Sequence, residues 1–218
     1  MENNKKKSLI PKAALIKAWL IWETFPQTCY NYERMMGQVV AHMFSAIIGF
    51  LYKDDPSKRK EVMKREIEFF NVHIEFGSCI LGMAVALEEQ KAMGENIPGE
   101  FITNLKTSLM GPLAGMGDTI WQGVVIPILL AVCIDLTRSG SGNVWGAVIY
   151  AVVIVVAAYA LSYWNFMFGY KAGSEAIMDF LEKGILNKLI KGASIMGCMV
   201  MGGLIVNYVK AVCGLKIV

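Results

Sequence analysis

The sequence predicts an all-α polytopic integral membrane protein with discontinuous or re-entrant helices and an amphipathic N-terminal helix. Three observations carry that fold class. Of 218 residues, 55% are hydrophobic and the mean hydropathy is +0.46, more apolar than a soluble domain of this length averages. The apolar residues are also concentrated. Val144 to Met167 holds no Asp, Glu, Lys or Arg, and at about 1.5 Å per helical residue it would cross a hydrocarbon core of roughly 30 Å. Trp121 to Ile134 and a glycine-rich run from Ala193 to Val209 are likewise uncharged.

The elements follow in order. Residues 1–25 begin basic but lack an apolar core followed by a small-residue cleavage site, so they read as an amphipathic helix and not as a cleavable leader. Lys12 and Lys17 are its polar side; Leu15, Trp19 and Trp22 are apolar at spacings of four and three. That pattern suits a membrane surface, and also an ordinary packed helix. Residues 26–110 read as partly membrane-embedded helices. Pro26 divides the first helix from a second, which contains "NYERMMGQVVAHMFSAIIGFLY" and carries Glu33, Arg34 and His42. "KDDPSKRKEVMKREIEFF" is a charged loop and helix. "EFGSCILGMAVAL" is too short to span as a regular helix, which predicts a re-entrant or half-membrane segment. "LEEQK" at 87–91 reads as a solvated helix end, and residues 94–99 as a turn. Residues 111–209 then read as a glycine-rich hinge and transmembrane helices, with spans from about Thr119 to Leu136 and from Val144 to Phe168 joined by the turn "TRSGSGN". That turn has one basic residue. Its flanking loops, 53–68 and 171–191 (with Lys171, Lys183, Lys188 and Lys191), have several, so the turn faces outward and the loops face the cytoplasm.

Polar groups inside apolar surroundings are the candidate sites. In "MGPLAGMGDTIWQG", Gly111, Pro112, Gly115 and Gly117 weaken regular helix, and Asp118 suits an N-cap for the free amides at residues 120 and 121. Irregular backbone at membrane depth belongs in protein or beside a water-filled cavity, and discontinuous helices are a transporter device. The same residues also fit an interfacial cap with close-packing glycines. In "QTCYNYER", Gln27, Asn31 and Arg34 fall on one face of a helix, with Glu33 alongside. Charge at membrane depth faces a cavity or a partner, and amides with carboxylates suit sugar hydroxyls; a Glu33–Arg34 pair against headgroups is the alternative. Asn71, His73 and Glu75 precede the short apolar segment, and the lone histidine reads as a satisfied polar group.

Other chemistries lack support. No GxSxG, P-loop or HExxH is present. Cys29, Cys79, Cys133, Cys198 and Cys213 have no CxxC or metal spacing and read as small buried hydrophobes, so no metal site is expected. A net charge of +3 without a basic aromatic stripe argues against nucleic acid.

Five blocks in order, "NYERM", "EFFN", "ILGMAVALEEQKAMGENI", "LMGPLAGMGDTIWQG" and "KGASIMGCMVMGGL", resemble the IID membrane subunit of the mannose family of sugar phosphotransferase systems. The resemblance covers most of residues 15–209 and implies a single IID-like membrane domain over 1–218. It implies a multi-pass protein of the bacterial cytoplasmic membrane that forms, with a IIC subunit, the hexose pathway of a permease, as an oligomer of IIC–IID pairs. Cytoplasmic IIA and IIB units would carry the phosphoryl group, so this chain is expected to be non-catalytic and to need no cofactor. By the same resemblance Gln27, Asn31, Glu33 and Asn71 become sugar-facing, and Gly111, Pro112, Gly115, Gly117 and Asp118 the core of a mobile helix. Two departures are expected to alter sugar preference: Tyr30 stands where the family often has Trp, and "NVHIEF" replaces an Asn-Thr-x-Pro run. Family members also continue past the segment matched at 192–204, whereas this chain stops at Val218, which predicts a chain that is short or cut, or a separate polypeptide supplying the rest. Two rival readings are a secondary transporter with Asp118 or Glu33 as its proton site, and a non-transporting membrane scaffold.

Overall fold

The structure is a computed structural model that describes residues 8–138 and 144–182, together with positions 195 and 202. Most of the predicted "TRSGSGN" turn (139–143), Lys183, Lys188, Lys191, Cys198, Cys213 and nearly all of the apolar segment 193–209 lie outside the described residues. The described residues are helical, without β-strands. The helices are α1 (Lys12–Thr24), α2 (Gly37–Ser45), α3 (Ile48–Leu51), α4 (Pro56–Glu66), α5 (Ile74–Ala92), α6 (Gly99–Gly117), a π-helical segment (Asp118–Val125), α7 (Ile126–Arg138) and α8 (Trp145–Glu182). Two stretches are long and apolar enough to cross a membrane, Gly99–Ile134 and Trp145–Ala172. They divide between two compact units, bounded as Met1–Ala114 with Tyr159–Asp179, and Gly115–Ala158 with Phe180–Val218.

The first unit is built around α5. Its residues from Gly77 to Glu89 are buried without interruption. The predicted short segment is therefore the middle of a 19-residue helix that protein surrounds on all sides. A helix apolar all round must be wrapped by other elements, and α8 comes closest. A Cβ added to Gly82 would collide with the Phe166 carbonyl oxygen and press on the Tyr170 amide; one added to Gly169 would collide with the backbone of Cys79. The two glycines let the α5 and α8 backbones touch.

Helix α1 closes over this pair. Leu15, Ala18, Trp19 and Trp22 are buried, as their spacing predicts, while Lys12 and Lys17 are exposed. This face meets protein, whereas Ile16 and Leu20 of the same helix are exposed. The Trp19 indole donates to Ser162 Oγ (3.0 Å), and the Trp22 indole donates to Ile74 O and Ser78 Oγ (both 3.1 Å). Helix α4 starts as its sequence dictates, with Asp55 capping Lys58 N at 3.0 Å and Pro56 in the first turn.

In the second unit α7 and α8 meet through Gly146, whose Cβ position is filled by Thr137 Oγ1 and the Cys133 carbonyl. Outward from this pair, Ile128, Val132, Val152 and Val156 are exposed, as lipid-facing side chains of membrane helices are.

We expect Gly82→Leu or Gly169→Leu to cost at least about 3 kcal/mol, since the backbone itself blocks the new side chain. Gly111→Ala and Gly115→Ala meet nothing within 4 Å and should be neutral or stabilise by up to about 1 kcal/mol. Thermal unfolding of the four variants in detergent separates these outcomes.

Candidate functional site

Residues 29–35 do not form the helix that the spacing of Gln27, Asn31 and Arg34 predicts. They form a turn held by Asn31. Its Oδ1 accepts from Glu33 N (3.1 Å) and Arg34 N (2.9 Å), and its Nδ2 donates to Cys29 O (3.1 Å). An Asn side chain that satisfies nearby amides competes directly with the helix ladder. Met35 then takes φ 49°, outside helical space. Met36 N donates to Phe70 O, and Phe70 N to Arg34 O, fixing the turn to the segment before α5.

The turn lines an open cavity of about 770 Å³ with Cys29, Tyr30, Asn31, Tyr32, Glu33, Arg34 and Gln38. Tyr32 is 97% exposed. Glu33 Oε1 accepts from Arg34 Nε (3.3 Å) and Nη2 (3.2 Å), and the Tyr30 hydroxyl donates to Asn71 Oδ1 (3.2 Å). So the structure brings Asn31, Glu33 and, through Tyr30, Asn71 to one place. Gln27 is exposed and does not line the cavity. Asn31 arrives with both Oδ1 bonds and one amide proton committed to the turn, so its first role is to shape the site. Cys29 is exposed on this turn, against its reading as a buried hydrophobe; Cys79 and Cys133 are buried as expected.

The predicted break at residues 111–117 is absent. Helix α6 runs through Gly111, Pro112, Gly115 and Gly117, and Gly117 itself is helical (φ −63°, ψ −48°). A continuous helix leaves no free amides for Asp118 to cap, and Asp118 is exposed as the first residue of the π segment. The irregularity lies there instead. The Thr119 hydroxyl donates to the Gly115 carbonyl (2.8 Å) one turn back, a contact that bends helices.

Two buried polar networks escaped the sequence reading. Glu88 and Glu89 are not a solvated helix end. Glu88 Oε1 receives Arg65 Nε (3.0 Å) and Nη2 (2.5 Å), and the neighbouring pair Lys106 Nζ–Glu66 Oε2 closes at 2.8 Å. Glu66 and Glu88 are fully buried. Glu89 Oε1 accepts from Ser8 Oγ (2.7 Å), Leu9 N (2.7 Å) and Ile10 N (3.0 Å), and its Oε2 accepts from the Tyr170 hydroxyl (2.5 Å). One carboxylate thus anchors the segment leading into α1. The available signal was that α5 is apolar on every side up to Leu87, so its next turn has no face to give to water. His73, read from the sequence as a satisfied polar group, is buried with Nδ1 2.9 Å from Glu75 Oε2.

These features define an all-α membrane protein with a hydrogen-bonded polar and aromatic turn beside an open cavity. Residues 9–218 match the profile of the "PTS system mannose/fructose/sorbose family IID component", and the chain belongs to that family. It is 38% identical to the mannose-specific EIID component of Escherichia coli K12 over 82% of this chain and 62% of that protein. It is 33% identical to the fructose permease IID component of Bacillus subtilis over 92% of this chain and 71% of that protein. The chain therefore spans somewhat less than two thirds of the length of the E. coli relative. Its fold is similar to a chain in the cryo-EM complex of the mannose transporter ManYZ with microcin E492 (TM-score 0.71, 33% identity, 91% of this chain and 71% of that one). A structure described as a membrane protein superposes with TM-score 0.76 at 34% identity, covering 89% of this chain and 70% of that one.

Asn31→Ala should lower stability by about 1–2 kcal/mol through the lost turn bonds, whereas Asn31→Asp keeps the acceptor and most of the stability. Glu88→Ala, which strips Arg65 of its main partner, should cost about 3–5 kcal/mol. Glu33→Ala, at an exposed pair, should cost under about 1 kcal/mol. Chemical denaturation of the purified chain checks all three.

Proposed function

We propose that this chain is the IID subunit of a mannose-family phosphotransferase permease and forms the sugar pathway with a IIC-type partner. The observation that carries the reading is the Asn31-braced turn. It holds Tyr30, Tyr32, Glu33, Arg34 and Gln38 around an open cavity, in a chain of the IID family. Carboxylate, guanidinium, amide and phenol groups together supply the donors and acceptors that sugar hydroxyls need. Glu33 and Arg34 bind the hexose, Asn71 acts through Tyr30, and Asn31 keeps the turn in shape. Phosphoryl transfer belongs to IIA and IIB units on the cytoplasmic side, and this chain carries no phosphoryl group. The chain sits as a multi-pass protein in the bacterial cytoplasmic membrane, in an oligomer of IIC–IID pairs.

Access to the sugar alternates through a flexible joint at Gly111, Pro112, Gly115, Gly117 and Asp118. The boundary between the two compact units falls at Ala114 and Gly115, and the π segment begins at Asp118, both of which support that reading. Pro112 contributes by removing one amide from the helix ladder.

Glu33→Gln should weaken sugar uptake at least tenfold in cells that express the whole permease, while co-purification of the IIC partner stays unchanged. Asn31→Asp should transport better than Asn31→Ala. Unaltered uptake and sugar affinity in both Glu33→Gln and Asn31→Ala would remove the turn from the sugar site.

A further inference from the structure

We propose that Glu23, His73 and Glu75 form a partly buried proton-binding site that makes the docking of α1 on α5 and α8 depend on pH. The proposal is independent of the sugar pathway and uses none of its residues.

The site lies where three elements of the first unit meet. Glu23 is one helical turn beyond Trp19, whose indole is bonded to Ser162 of α8. The adjacent Trp22 is bonded to Ile74 O and Ser78 Oγ at the start of α5. These bonds fix the Glu23 backbone against both helices. One carboxylate oxygen of Glu23, Oε2, is buried without a hydrogen-bond partner. A buried ionised oxygen in that state is costly, and a proton removes the cost.

The surroundings favour the proton. His73 and Glu75, both buried, pair at 2.9 Å, so the imidazole nitrogen on that side is engaged by Glu75. A second carboxylate in this cluster is favoured in its neutral form. From α8 the cluster meets the hydroxyl of Ser162 and Asn165, whose amide donates to Glu75 O (3.1 Å); Tyr159 and Tyr163 of α8 pack on Trp19. From α2 the nearest titratable group is His42, exposed and against Phe25 at 5.8 Å between rings. Among the described residues, no lysine or arginine is among the groups acting on Glu23. Burial pushes the Glu23 carboxyl up to about 7, with Glu75 acting in the same direction and Ser162 and His73 against it.

The direction of the pH effect follows. The folded chain holds the Glu23 proton more tightly than the unfolded chain, whose carboxyl has its ordinary value near 4.5. The stabilisation is fully present below about 4.5 and is lost as pH rises to about 7. Above that the ionised carboxylate faces Glu75 and α1 is held less firmly.

Thermal unfolding of the full chain in its purified membrane complex, from pH 5 to 8.5, provides the test. The difference in Tm between Glu23→Gln and the natural chain should grow between pH 5 and 7 and level off above. A difference that does not change with pH overturns the proposal. A second measurement reads the proton directly, and its first outcome uses the natural chain alone. The infrared difference spectrum between pH 6 and pH 8 should contain a protonated-carboxyl C=O band that disappears in Glu23→Gln. Absence of the band in the natural chain, or its persistence in the variant, overturns the assignment.

Discussion

The close approach of α5 to α8 is the constraint on which the first unit depends. Two glycines at reciprocal positions, Gly82 and Gly169, remove the side chains that would hold the helices apart. Backbone contact at that distance then brings short polar side chains within reach of one another. Ser78 and Ser162 meet at 2.7 Å, Asn165 reaches the Glu75 carbonyl, and Tyr170 reaches Glu89. Helix α1 docks on this seam through its two tryptophans. Widening the crossing by one methyl group would break the polar contacts and the docking together, because all of them rely on short side chains.

Most of the buried charged groups here are paired with an opposite charge or with several donors, although Glu66 Oε1 and Glu88 Oε2 lack a hydrogen-bond partner. Glu89 accepts four hydrogen bonds, and Arg65, Glu66, Glu88 and Lys106 neutralise one another in pairs. Removing any one member leaves a partner without water or counter-charge, which costs more than the pair contributes. Glu23 differs from Glu66 and Glu88, because it has one unpartnered oxygen and, among the described residues, no salt bridge to a lysine or arginine. That imbalance is what makes a proton its natural partner.

The candidate sugar turn illustrates how local chemistry can override spacing. Gln27, Asn31 and Arg34 have helical periodicity, and Asn31, Glu33 and Asn71 do come together. They do so through an Asn-braced turn and a tyrosine bridge, not through a helix face. Likewise the glycines and proline at 111–117 suggest a broken helix, but in a membrane-length segment the intrahelical bonds have no water to replace them. The helix therefore continues. The perturbation is passed down the chain to Asp118–Val125, where a threonine hydroxyl competes for the Gly115 carbonyl.

The all-α class, the presence of membrane-length apolar stretches, the apolar face of α1 and the ordered motifs of the IID family are all legible in the sequence. Each is a matter of composition, periodicity or local order, which a linear chain displays directly. Tertiary structure decided the rest. Burial of Glu88 and Glu89 required Arg65 and the segment at residues 8–10 to arrive from far along the chain. The shape of residues 29–35 required pairing with Phe70. Whether a glycine is a contact or merely small, as Gly82 differs from Gly111, depends on what another helix places beside it. Spacing records which residues share a face of their own helix, but not which distant backbone will cover that face.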